Sequence, residues 1–221
     1  MDFLYQLVLG PIILLIDLIY DFTFEITGLS GLSIIILCIT VNILLLPVKI
    51  YAKYIMKKEL DIQVIMRPKV IELKNKYKGE QLHNELSNYY KTKKYHPVYS
   101  LRLSFGLLIQ LPFFIGAYIY FRSNLDLSGV SFGFIKDLLA PDSILSFGAL
   151  TINIMPLIMT VISLISVYLH GNLYFEKQII QQYAISFIFL LLLYNEPSGL
   201  LLYWTTNNVI FLSGLMITKK L

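Results

Sequence analysis

Long apolar stretches dominate the pattern of hydrophobic and polar positions along this chain. A helix of about 20 residues crosses a bilayer core about 30 Å thick. Windows near that length occupy residues 31–50, 101–121, 148–169, 179–194 and 197–218. The pattern therefore predicts an all-α integral membrane protein with five transmembrane helices. The fourth window holds only about 16 residues, which implies a thinner bilayer beside it.

The N-terminal segment, residues 1–30, has a different pattern. Asp17, Asp21 and Glu25 recur every four residues and give one acidic stripe on an otherwise apolar helix. This pattern favours an amphipathic helix lying in the membrane interface. The alternative is a sixth span over residues 4–20, which would bury Asp17 near its end at some cost.

A basic segment, residues 51–100, separates the first two windows. Its apolar residues fall near helical spacing and predict two helices joined at Gly79 as an antiparallel hairpin, with Pro68 beginning a second segment of the first arm. Such a hairpin would lie near the membrane surface and attract anionic lipids. The alternative is a solvated run of charges that only sets the topology.

Composition supports a membrane protein, and the distribution of basic residues predicts how the chain is oriented in the membrane. The chain of 221 residues is 57% hydrophobic and 14% charged, with a mean hydropathy of +0.69. Of its 18 lysines and arginines, 13 lie within residues 49–102, and Lys177, Lys219 and Lys220 follow later spans. Because basic loops stay in the cytoplasm, the hairpin and the C-terminus are predicted to be cytoplasmic. The N-terminus and the outer segment 122–147, which contains only two basic residues, Arg122 and Lys136, are predicted to face outward.

Polar side chains within the spans fall on helical stripes. Cys38, Asn42 and Lys49 share one face of the first span. Arg102, Gly106 and Gln110 share a face of the second, and Tyr203, Thr206 and Asn207 form a polar patch on the last. The stripes predict a hydrophilic groove lined by Asn42, Lys49, Arg102, Gln110, Tyr203, Thr206 and Asn207. The alternative is dry hydrogen bonding between helices, without a groove.

The sequence lacks the residue patterns that are typical of intramembrane enzymes and solute transporters. No carboxylate lies inside the five spans, and His83, His96 and His170 fall in or beside the predicted cytoplasmic loops. An intramembrane enzyme needs paired carboxylates, a zinc-binding helix or an activated nucleophile. Secondary transporters usually show paired broken helices, and the prolines here are scattered without such symmetry. We therefore expect a non-enzymatic protein without a catalytic residue, metal or cofactor.

Three motifs make the sequence recognisable. They are LLIQLPFFIGAY in the second span, FIKDLLAPD before the third, and PSGLLLYWTTNN at the head of the last. Their order and spacing resemble the YidC/Oxa/Alb family of membrane protein insertases over nearly the whole chain. The resemblance implies a five-helix core whose groove opens to the cytoplasm, receives segments of nascent membrane proteins and releases them laterally into lipid. The Sec translocon and the ribosome are further candidate partners; no specific nucleic-acid sequence is expected.

One position departs from the family pattern. Many bacterial members carry an arginine five residues before the proline that ends the first core span, and this chain has Asn42 there. Our hypothesis is that Arg102 supplies the displaced charge; the alternative is that Arg102 anchors the helix end by snorkelling. A second interpretation of the function stays open beside insertion: a specialised chaperone of one membrane protein or lipid-linked assembly system.

Overall fold

The computed structural model describes residues 5–147, 150–170 and 176–218. The chain forms two compact units, a bundle unit (Met1–Leu44 and Phe113–Leu221) and a hairpin unit (Leu45–Pro112). The helices within the described residues are α1 (Gly10–Thr27), α2 (Ser30–Leu44), α3 (Leu46–Lys76), α4 (Gly79–Thr92), α5 (Phe105–Ser123), α6 (Ile154–His170), α7 (Glu176–Leu193) and α8 (Ser198–Thr218). A π-helical turn (Tyr5–Leu9) precedes α1, and 3-10 helices cover Pro97–Ser104 and Leu125–Leu127.

The structure divides the predicted first span, 31–50. Helix α2 ends at Leu44, and α3 begins at Leu46 with Pro47 in its first turn. Proline lacks a backbone N–H and crowds the carbonyl four residues earlier, so it is best placed at a helix start. The apolar window is therefore continuous in the sequence while the helix is not.

The first arm of the hairpin is one helix. Helix α3 runs for 31 residues and contains Pro68, whereas the sequence predicted a new segment there. Pro68 is exposed, so solvent can hydrate the backbone carbonyl that the proline leaves unpaired. The buried residues of α3 recur every seventh position, which gives one narrow stripe along the helix: Ala52, Glu59, Met66 and Leu73. Gly79, with φ of +59°, begins α4.

The second predicted span, 101–121, begins later in the structure. Residues Pro97–Ser104 form a 3-10 helix, and α5 starts at Phe105. A 3-10 helix has three residues per turn instead of 3.6. Arg102 lies in the 3-10 segment and Gln110 in α5, and their shared stripe stays a prediction.

The third predicted span, 148–169, also begins later. Two short strands, β1 (Leu145–Phe147) and β2 (Leu150–Ile152), pair antiparallel ahead of α6. The carboxylate of Asp142 then accepts hydrogen bonds of 2.7 Å from the backbone N–H groups of Ile154 and Met155. This cap satisfies two otherwise unpaired donors and sets the start of α6.

Two of the recognised motifs contact each other. The backbone N–H of Gly199 donates to the carbonyl of Leu138, and both the N–H and the hydroxyl of Ser198 donate to the carbonyl of Ala140. A β-carbon on Gly199 would lie 3.1 Å from the Leu138 oxygen, so glycine permits this approach. The segment before α6 is thereby joined to the head of α8.

Helix α1 packs against α2 in the bundle unit. Ile16 is fully buried, and the Thr27 hydroxyl lies 2.8 Å from that of Ser33. Within the described residues, Gln6–Thr27 is the one stretch that is long and apolar enough to cross a membrane alone. Ser30–Leu44 and Leu46–Lys76 meet the same criterion only together, and Ile154–Leu169 and Ile179–Leu193 are shorter apolar helices. The interfacial position of α1 stays a prediction.

Candidate functional site

A pair of amides joins α2 to α8. The Nδ2 of Asn42 donates to Oδ1 of Asn207 at 3.2 Å and to the carbonyl of Cys38 at 2.8 Å. Asn207 is 8% exposed, whereas Asn42 is partly exposed. An amide in an apolar interior is costly unless it is paired, and this arrangement pairs both residues across a helix contact. The structure thus brings together polar residues of the first and last predicted spans.

The next turn of the same contact is also polar. Cys38 is fully buried, and its thiol lies 3.4 Å from the carbonyl of Tyr203. The Tyr203 side chain is 4% exposed and packs against Phe121, with ring centroids 5.8 Å apart. Because Tyr203 and Asn207 are four residues apart, they present one face of α8 to α2.

Thr206 contributes differently from its neighbours. Its hydroxyl donates to the carbonyl of Leu202 in its own helix at 2.8 Å, so it makes no bond to α2 in the described contacts. The adjacent Thr205 hydroxyl is buried without a hydrogen-bond partner in the part of the chain that the structure describes. Such a group marks a place where water or a polar segment would be stabilised.

A second polar contact, which the sequence interpretation did not single out, lies between α6 and α7. The hydroxyls of Ser163 and Ser186 are 2.8 Å apart, and Ser186 is 6% exposed. Ser186 also donates to the carbonyl of Gln182 in its own helix. Small hydroxyl residues of this kind hold transmembrane helices together. The available signal was one serine, Ser186, in the fourth window opposite Ser163 and Ser166 in the third.

Arg102 lies in the hairpin unit, and its charge has a partner. Its Nη1 is 3.9 Å from Oε2 of Glu59, and its guanidinium carbon lies 4.1 Å above the ring of Tyr99. The Arg102 side chain is 42% exposed, whereas that of Glu59 is fully buried. The sequence interpretation missed Glu59 because the helix around it is rich in charge. The seven-residue spacing of Ala52, Met66 and Leu73 identifies its position as buried.

Two further side chains hold the Glu59 carboxylate. Its Oε1 accepts hydrogen bonds from the hydroxyl of Tyr95 at 2.6 Å and from Nε2 of Gln63 at 3.1 Å. Burial raises the pKa of Tyr95 to about 12, and the hydrogen bond to Glu59 contributes to the shift. Oε2 has no hydrogen-bond partner among the described residues. Hydrogen bonds therefore hold Oε1 of the carboxylate, whereas Oε2 faces the guanidinium of Arg102.

The remaining predicted groove residues also belong to the hairpin unit. Lys49 lies in the first turn of α3, and Gln110 lies in α5; both are partly exposed. Lys219 and Lys220, which supported the predicted orientation, lie outside the described residues. The structure thus brings Asn42, Tyr203 and Asn207 together in the bundle unit and places Lys49, Arg102 and Gln110 in the other.

Comparisons with known proteins agree with this architecture. The family described as 60Kd inner membrane protein matches residues 22–221. The membrane protein insertase YidC of Treponema denticola is 30% identical over 96% of the chain and 38% of its own length. That of Chlamydia trachomatis is 27% identical over 98% of the chain and 29% of its own length. A crystal structure of an active YidC insertase, with its first transmembrane domain resolved, matches with a TM-score of 0.62 and 25% identity, over 97% of this chain and 46% of that one.

The described helices and their match to a solved insertase define an α-helical fold of the YidC type. The family match covers most of the sequence, and the chain belongs to the family of 60Kd inner membrane proteins. This confirms the resemblance that the three motifs indicated and makes the chain an inner membrane protein. The chain spans about a third of the length of the curated relatives it matches.

Proposed function

We propose that this chain is a non-enzymatic membrane protein insertase. It receives segments of nascent membrane proteins in a polar groove and releases them laterally into the bilayer. The names of the relatives and the fold support this function. The observation that carries the proposal is the Asn42–Asn207 pair, because it places amides where the first and last core helices meet.

The proposed groove includes the amide pair of the bundle unit, and Asn42, Tyr203, Thr206 and Asn207 would line it. Lys49, Arg102 and Gln110, which the sequence also predicts to line the groove, belong to the hairpin unit. The partial exposure of Asn42 supports access of water to the amides. A polar client segment would exchange its hydrogen bonds with water for bonds to these groups, which lowers the cost of entering the membrane.

Release needs no covalent chemistry. The apolar part of the client would leave between α2 and α8, and its burial in lipid, at about 25 cal/mol per Å² of apolar area, supplies the free energy. Because Asn42 and Asn207 bond across this contact, α2 and α8 must separate during release. The amide pair therefore acts as a polar seam that opens for the client.

The topology of the proposed insertase has five core spans: α2 with the start of α3, then α5, α6, α7 and α8. The N-terminus and the outer segment would face outward, and the hairpin and C-terminus would be cytoplasmic. The exposed face of α1 supports an interfacial position, since Leu14, Leu18, Phe22 and Ile26 are 60% to 68% exposed beside the acidic stripe. The basic hairpin would contact anionic lipids, the ribosome or the Sec translocon.

Thiol accessibility tests the groove. In a Cys38→Ser background, Asn42→Cys should react with a membrane-impermeant thiol reagent from the cytoplasmic side, whereas Leu37→Cys, at a fully buried position of the same helix, should not. Lack of labelling at position 42 in intact membranes would contradict the groove. Rescue of a bacterium depleted of its general insertase then tests the activity. Failure despite normal expression and membrane placement would favour the specialised chaperone.

A further inference from the structure

The ion pair between Glu59 and Arg102 has an unusual asymmetry. The carboxylate is completely buried and held from one side by Tyr95 and Gln63, whereas 42% of the arginine side chain is exposed. A buried charge without a counter-ion is strongly disfavoured, so Glu59 keeps the guanidinium close. Glu59 therefore occupies the inner side of Arg102, and only the outer side is available to a ligand.

The aromatic contact limits where Arg102 can go. Its guanidinium lies 4.1 Å above the ring of Tyr99, and Tyr99 in turn packs edge-on against Tyr95, with centroids 5.9 Å apart. Tyr95 is the residue that donates to Glu59. One connected cluster thus contacts the guanidinium from two sides and restricts its position.

We propose that Glu59 is a specificity-determining residue that lowers the affinity of the hairpin unit for acidic client segments by neutralising Arg102. This inference rests on the proposed insertase function. An arginine carries five N–H donors, and the distance of 3.9 Å to Glu59 is too long for a hydrogen bond. Donors on the exposed side thus remain for a client carboxylate. The client meets a pair of zero net charge, so its attraction is weaker than that of a free cation.

Substitution at position 59 isolates this effect. Glu59→Gln removes the charge and keeps an oxygen that accepts from Tyr95 and Gln63. Glu59→Met removes the charge and places an apolar side chain in the buried stripe of α3, where an apolar residue packs well. The matched control is Glu72→Gln, which breaks the exposed pair of Lys69 and Glu72 on the same helix.

The experiment uses the full chain in proteoliposomes and two single-span clients. They are identical except that one carries carboxylates and the other amides in the segment that crosses the groove. The readout is the ratio of acidic to neutral client inserted in one preparation, since a lower folded fraction scales both clients equally. Both Glu59 variants should raise this ratio about two- to fivefold, the range expected of a partly exposed charge pair. Glu72→Gln should leave the ratio unchanged, and Arg102→Gln added to Glu59→Gln should abolish the gain.

An unchanged ratio in both Glu59 variants would overturn the inference, as would an equal fall for both clients, which indicates a structural role alone. A gain that persists without Arg102 would also overturn it. Failure of the unsubstituted chain to insert the neutral client contradicts the proposed function instead. The two failures are therefore distinguishable in one assay.

Discussion

Asn42 and Asn207 are separated by 165 residues in the sequence and by 3.2 Å between their side-chain amides. The bond joins α2 to α8, and Cys38 and Tyr203 extend the contact by one turn. This contact is both a structural link and, in the proposed mechanism, the seam through which a client leaves. Its two roles make separate predictions.

As a structural link, the amide pair should be energetically coupled. Asn42→Leu and Asn207→Leu should each destabilise the bundle unit by about 1 kcal/mol, because each leaves its partner short of a hydrogen bond. The double variant should lose less than the sum, with a coupling of about 0.6 to 1.7 kcal/mol. Thermal unfolding in detergent measures these values. Thr206→Val serves as the control, since its hydroxyl bonds only to its own helix in the described contacts.

If the client leaves between α2 and α8, the two helices must separate during insertion. In a Cys38→Ser background, Asn42→Cys and Asn207→Cys bridged by a short bis-thiol reagent should stop client insertion. A reducible reagent should allow it to resume. The matched control bridges Ser163→Cys to Ser186→Cys, where hydroxyls 2.8 Å apart join α6 to α7 away from the seam. Normal insertion by the protein bridged between α2 and α8 would exclude release between these helices.

Gly31 allows the outer segment to pack against α2. A β-carbon at this position would overlap the ring of Phe132. We expect Gly31→Ala to destabilise the bundle unit by about 1 to 3 kcal/mol, because the ring and its loop must move. Gly214→Ala is the control, since a β-carbon there lies within 4 Å of no neighbouring atom in the described part of the chain. Equal thermal stability of the two variants would contradict the observed contact.

Asp142 caps α6 from 12 residues away. Asp142→Ala should destabilise the bundle unit by about 1 to 2 kcal/mol, since two backbone N–H groups lose their acceptor. Asp142→Asn should cost less, because the amide oxygen still accepts. Hydrogen exchange at Ile154 and Met155 measures the local effect, with Asp126→Asn in the same outer segment as the control. Unchanged protection at both amides in Asp142→Ala would show that the cap contributes nothing.

Tyr95 should make the hairpin unit sensitive to alkaline pH. Its pKa is raised from 10.0 to about 12, so its contribution to stability is complete below pH 10 and is lost as the pH rises through about 12. Tyr95→Phe should reduce this loss and also lower the stability at neutral pH, because Glu59 loses a hydrogen bond of 2.6 Å. Tyrosinate absorbance and circular dichroism followed together test both effects; Tyr54→Phe, at an exposed tyrosine of the same unit, is the control.

The sequence predicted the class of the fold well because apolar windows and polar stripes reflect local periodicity. The stripe positions Asn42, Tyr203 and Asn207 meet in the structure for that reason. Helix boundaries were less predictable. Helix α2 ends at Leu44 although the neighbouring residues are apolar, and Asp142 sets the start of α6 from 12 residues away. Neither boundary is visible in hydropathy.

Glu59 shows a different limit. In sequence it is one charge among many, and only the packing of the 3-10 segment and Tyr95 against α3 buries it. The predicted relocation of charge to Arg102 consequently missed the residue that neutralises it. Arg102 itself lies in a 3-10 helix, which the sequence did not predict.

The contacts between residues 138–142 and the head of α8, together with the bond from α2 to α8, have a consequence for biosynthesis. Both sets of contacts join earlier residues to α8, so neither set can form until α8 has been synthesised. The proposed insertase would therefore remain a partly assembled helix bundle during its own synthesis, until α8 packs against α2.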